Sequence, residues 1–116
     1  MNDSTTTVGE LRHAVGDFVN ERDWSQFHSP KNLSMAIAIE AAELMEHFQW
    51  LTTEESLAVR ESPGDMQQVR EELADILCFS LSLANALDID ISSSVRDKLV
   101  KNALKYPAER FRGRFR

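Results

Sequence analysis

Two pairs of carboxylates stand where chemistry could be done: Glu40 with Glu43, and Glu72 with Asp75. In a helix, at ~100° per residue, a spacing of three puts both acids of a pair on one side, one turn apart. His47 falls on the same row as the first pair. A surface helix sets its charges opposite its apolar stripe, whereas Glu40 and Glu43 lie beside Leu33, Ile37 and Leu44. Glu72 and Asp75 likewise border the stripe that holds Val69, Leu73 and Ile76. Acids held together in an apolar setting need a countercharge, and a divalent cation can supply it. Four oxygen ligands suit Mg2+ or Mn2+, and Mg2+ characteristically keeps waters and binds together with substrate phosphates.

A lone Glu-x-x-Glu would carry little weight, because solvated helices produce that spacing constantly. Its repetition on the two most apolar segments is what points to a four-carboxylate cage. Glu46 and Glu71 point elsewhere on their helices and read as solvated or ion-paired. A di-iron carboxylate bundle needs Glu-x-x-His on two helices, and the only such spacing is Glu10 with His13 at the start of the first helix. Cys78 sits in an apolar run and reads as a buried core residue, and no Ser, His and Asp set has a recognisable context for nucleophilic catalysis.

The elements that must position these acids are helical throughout. Thr7 with Glu10 makes a capping box, and Val8, Leu11, Val15, Phe18 and Val19 follow at helical spacing, predicting a first helix over about 8–21. After RDWSQFHSP breaks the period, Ser29 as N-cap and Pro30 at the first position open a central helix, predicted to end near Trp50 or Leu51. Thr52 and Glu55 form a further capping box, for a short helical piece to about Arg60. Ser62-Pro63-Gly64-Asp65 reads as the clearest turn. A second long pattern covers about 65–87, and a last helix follows over about 91–105, stopped by Pro107. The expected architecture is all-α with four main helices, the two long ones packing antiparallel so that their acid pairs face each other. The chain reads as a single domain over 1–116 with loose ends at 1–6 and 108–116; the Arg-rich tail 110–116 is expected to fray or to dock on a neighbouring subunit.

The whole chain narrows the possibilities. With 116 residues, 42% of them hydrophobic, there is material for one modest core. The formal charge of −6 argues against nonspecific binding to nucleic acid or to anionic membrane, both of which want a basic surface. A single cysteine, no leader-like start and no apolar run near ~20 residues set the expectation of a cytoplasmic protein. The central helix is apolar on nearly every side, more than one protomer can cover, so a homo-oligomer is expected.

Taken together, Glu40-x-x-Glu43 and Glu72-x-x-Asp75 resemble the acids of the MazG-type all-α nucleoside triphosphate (NTP) pyrophosphohydrolases. RDWSQFHSPKNL, EAAEL, FQW, EELADIL and the closing Lys-Tyr-Pro are similar to the dCTP pyrophosphatase branch, a resemblance covering roughly 11–107. It implies that the four acids hold Mg2+, which bridges to a triphosphate. The implied products are a nucleoside monophosphate and pyrophosphate, with dCTP or a 5-modified dCTP as first substrate. The alternatives are a broader or differently specific pyrophosphohydrolase and a noncatalytic helical scaffold. Trp24, His28 and Trp50 align with the branch's base pocket, and an aromatic can stack on a pyrimidine while a histidine bonds its edge. Lys98, Asn102, Lys105 and Tyr106 share one face of the last helix and match the segment that contacts the phosphates. Phe79 is a substrate-side position where the eukaryotic members carry Tyr. Glu43, with Glu40, is expected to activate the attacking water, and Lys98 and Lys105 to steady the departing pyrophosphate. The resemblance also implies a dimer or a tetramer with sites near subunit contacts.

Overall fold

The computed structural model describes residues 1–115, and among these no strand occurs. The helix α1 (Val8–Glu21) opens where Thr7 Oγ1 accepts a hydrogen bond from the Glu10 amide at 3.1 Å. A 3-10 turn (Ser25–Phe27) leads to α2 (Pro30–Glu46), whose N-cap Ser29 accepts from the Asn32 amide at 3.1 Å. Pro30 occupies the first turn of α2, where its missing N–H leaves nothing unsatisfied.

The helix α2 ends at Glu46, four or five residues short of the predicted Trp50 or Leu51. Its last carbonyls are taken up instead by tight turns: His47 N donates to Leu44 O at 3.2 Å and Phe48 N to Met45 O at 3.0 Å. The capping box at Thr52 forms in full, with bonds of 2.9 and 3.1 Å to and from Glu55, and starts α3 (Thr53–Ala58). A second 3-10 turn (Val59–Glu61) follows, and then α4 (Pro63–Leu87). The predicted turn at Ser62-Pro63-Gly64-Asp65 is therefore the start of a helix. The fixed φ of Pro63 suits the first helical position, and the reversal falls just before it. Asp90 caps α5 (Ile91–Lys105) by accepting from Ser93 N at 2.9 Å. In the end segments, Asn2 Oδ1 accepts from the Ser4 and Thr5 amides, and 108–111 form the short helix α6 (Ala108–Phe111). Of the predicted tail, Arg116 lies outside the described residues.

The four long helices match the all-α expectation, and α2 with α4 forms the main packing pair. Their direction is antiparallel: His28, just before α2, faces Phe79, while Glu40 farther along α2 meets Glu72 earlier on α4. The helix α1 packs on α4, whereas α5 leaves α4 at 101° and makes no extended packing with any other helix. The core is small: Val19, Leu33, Leu81 and Ala84 are buried. Met35, Ile39, Met45, Leu73 and Leu77 are all exposed. Cys78, read from its apolar run as a core residue, is also exposed, because α4 is covered along one side only.

Candidate functional site

The antiparallel register of α2 and α4 brings Glu40, Glu43 and Glu72 together, each offering a carboxylate oxygen within 4.8 Å of the others. Glu40 and Glu72 are half-buried, and Oε2 of each is sealed from solvent with no donor. Among the described residues no ion pair reaches these acids; the ones formed, such as Arg22–Glu21 and Arg96–Asp97, lie elsewhere. Burial pushes the Glu40 carboxyl up to about 7, and the adjacent Glu72 and Glu43 carboxyls, which favour its protonated form, and repulsion from Glu43 and Asp75 add to this. Asp75 is exposed and outside the convergent trio, yet near enough to Glu40 to act on its charge. Orphaned carboxylate oxygens, mutually repelling and with no cationic side chain among them, are what a hard divalent cation fits.

The other sequence-predicted residues divide into groups. His28 Nδ1 is buried without a partner, and its ring meets Phe79 edge-on at 6.3 Å. His28 also lines a cavity of about 810 Å³ between α1 and α4, together with Val19, Asn20, Ser25, Ser82 and Asn85. Trp24 packs edge-on against Phe18 at 5.7 Å, and Trp50 projects into solvent, 87% exposed. Among the described residues neither indole makes a ring contact with His28. His47 is half-buried at the C-cap of α2. Lys98, Asn102, Lys105 and Tyr106 travel with α5, so the chain on its own does not bring them to the acids. At the end of that helix the Lys105 ammonium lies 5.3 Å over the Tyr106 ring, and Tyr106 packs edge-on against Phe111 at 5.2 Å.

One feature near the cavity has no signal in the sequence. Arg12, which helical periodicity marks only as a polar position on α1, reaches Asn85, 73 residues away. Nothing in a one-dimensional pattern pairs the two.

The MazG-like family pattern matches residues 35–114. Over 110 residues the chain is 38% identical to dCTP pyrophosphatase 1 of Bos taurus, spanning 95% of this chain and 65% of that protein. The Homo sapiens protein of the same name is 38% identical over 102 residues, 88% of this chain and 60% of that one. The chain thus spans less than two thirds of the length of these relatives. A pyrophosphatase from Archaeoglobus fulgidus DSM 4304, known from its crystal structure, superposes with a TM-score of 0.81 at 36% identity. That match takes in 92% of this chain and 98% of the archaeal one.

Proposed function

From the premise that this chain belongs to the MazG-like family, we propose that it is a Mg2+-dependent nucleoside triphosphate pyrophosphohydrolase. The first-choice substrate is dCTP, which the names of the curated relatives carry, or a 5-modified dCTP. The observation that carries this reading is the Glu40, Glu43 and Glu72 trio with its two buried, donorless oxygens. Those three acids and Asp75 would hold the ion, Mg2+ by preference or Mn2+. Bound there, it would neutralise phosphate charge and lower the pKa of a water.

The chain's own groups do the rest. Glu43 orients the water and takes its proton as the oxygen attacks the α phosphorus in line. The α–β phosphoanhydride breaks, its bridging oxygen leaves with pyrophosphate, and the nucleoside monophosphate keeps the new oxygen. Lys98 and Lys105 steady the charge on the departing group, with Asn102 and Tyr106 as polar neighbours. His28 Nδ1, lacking a protein partner, bonds the base edge beside the Phe79 ring, and Trp24 and Trp50 supply stacking surfaces. With Phe at position 79 the pocket offers no hydroxyl there.

Because α5 carries its cations away from the acids of its own chain, we place them at the acids of a second copy in a dimer or tetramer. The charge distribution supports this. Residues 98–116 hold seven cations and one acid, net +6, whereas 1–97 hold six cations and 18 acids, net −12. The partners are then a small nucleotide and further copies of the chain, with no nucleic-acid polymer and no membrane, in the cytoplasm where nucleotide pools lie.

The test is pyrophosphate release from canonical and 5-methylated deoxynucleoside triphosphates (dNTPs), with Mg2+ and with EDTA. Metal-dependent turnover centred on cytosine nucleotides is the expected result. Equal turnover across bases would keep the acidic site and discard the base-pocket roles. No turnover from a folded oligomer would leave the acids as a scaffold feature.

A further inference from the structure

We propose that Arg12 is a positioning residue: it locks the elbow between α4 and α5 and so sets the direction in which α5 carries Lys98, Asn102, Lys105 and Tyr106. The catalytic consequence rests on the function proposed above; the locking itself does not.

The elbow is short, and its own bonds are local: the Asp88 and Ile89 amides donate to the Ala84 carbonyl, and Asp90 caps α5. Three residues, 88–90, separate the helices, and Asp88 turns the chain in the left-handed region at φ 53°, ψ 46°. Aspartate tolerates that conformation better than most side chains. Beyond the elbow α5 has no extended packing partner in its own chain, so contacts along its length do not fix its course. Arg12 supplies what packing does not. From α1, its Nε donates to Asn85 Oδ1 at 3.1 Å, its Nη2 to the Ala84 carbonyl at 3.2 Å, and its Nη1 to the Ile89 carbonyl inside the elbow. Asn85 returns a bond from Nδ2 to the Arg12 carbonyl at 3.1 Å. One planar fork therefore ties α1, the last turn of α4 and the elbow into a single unit. A lysine, with a single ammonium on a flexible stem, cannot span three acceptors in the same way.

The lever is long. A 15-residue α5 extends ~22 Å, so swinging the elbow by about 20° moves its far end by roughly 8 Å. A displacement of ~1 Å is already enough to cost a reacting system heavily. Holding the elbow angle is thus the condition for presenting Lys98 and Lys105 at a fixed place.

The experiment measures the α4–α5 distance directly. Spin labels are placed at Gln67→Cys and Lys101→Cys in a Cys78→Ser background. Labelled chains are diluted with unlabelled protein so that pulsed dipolar spectroscopy reads the intrachain distance. Arg12→Ala and Arg12→Lys should both broaden a narrow wild-type distribution while helix content by circular dichroism stays unchanged. Val19→Ala, which weakens α1 packing without touching the clamp, should lower Tm and leave the distribution narrow. Kinetically, Arg12→Lys should reduce kcat/KM for the dNTP at least tenfold, and Val19→Ala should not. A distribution as narrow in both Arg12 variants as in the wild type would overturn the clamp. So would equal broadening in Val19→Ala, and unchanged kcat/KM beside a broadened distance would overturn the positioning role. Were the wild type itself to turn over no dNTP, the activity reading would fall, while the distance measurement would still decide the clamp.

Discussion

Glu40 keeps its proton to about pH 7 in the folded chain, against an ordinary value of 4.5, chiefly because burial penalises its charged form. The folded state therefore binds a proton that the unfolded chain releases above pH 4.5. Linkage makes the stability of the metal-free protein fall as pH rises from about 4.5 through 7. The carboxyls of Glu55 and Asp90 are held below their usual range, by bonds from Thr52 and Ser93 respectively, so their effects lie at more acid pH and do not mask this window. With EDTA, Tm should drop between pH 5 and pH 8, and Mg2+ should raise it at pH 8 but hardly at pH 5, where the ion must displace the proton. Glu40→Gln, which mimics the protonated acid, should remove both the slope and the response to Mg2+; a slope that survives in this variant would have another source. Glu43→Gln should stay folded and lose about 100-fold or more of turnover, the range for removing a general base. The acid pairs were legible because helical period and apolar neighbours together mark a packed face. The offset of Asp75 was not, since the crossing of α2 over α4 has no trace in either helix's own pattern. The orphaned His28 Nδ1 belongs to the same class of fact, for it depends on what three other segments leave uncovered.

At the level of the elements, the caps at Thr7, Ser29, Thr52 and Asp90 could all be read in advance, because each is settled within four residues. The end of α2 and the start of α4 could not, since Ser62-Pro63-Gly64 is as good a helix start as a turn, and only the packing of residues 65–87 decides. Those boundaries matter for the site. Leu33, in the first turn of α2, is 1% exposed and is the anchor that seats this end of the helix. Leu33→Ala should cost about 2–5 kcal/mol, the range for emptying a core position, and so a large share of the stability of a domain with so few buried side chains. Calorimetry or chemical denaturation of the metal-free protein checks this. A loss under ~1 kcal/mol would mean that the α2–α4 seam does not hold the fold.

The whole molecule exposes more than a finished monomer should. Its accessible area is 9213 Å², against roughly 6,400 Å² for a compact chain of this mass. Its radius of gyration of 17.1 Å exceeds the ~13 Å of a globular domain of this length. The surplus of roughly 2,800 Å² is several times the ~800 Å² per partner of a standard interface. Exposed apolar side chains contribute to it, from Met35 and Ile39 on α2 to Leu99 and Leu104 on α5. Light scattering should accordingly give a mass of at least two chains at micromolar concentration. If the cations of α5 serve the acids of another copy, then Glu43→Gln and Lys98→Ala chains, each inactive alone, should complement when unfolded together and refolded. A mixed pair would contain one site with both defects and one with neither, so random assembly of dimers restores about a quarter of wild-type sites. Sites complete within one chain would restore none, because every site would then keep its own defect, and that outcome would return Lys98 to solvent and leave the acids to act without it.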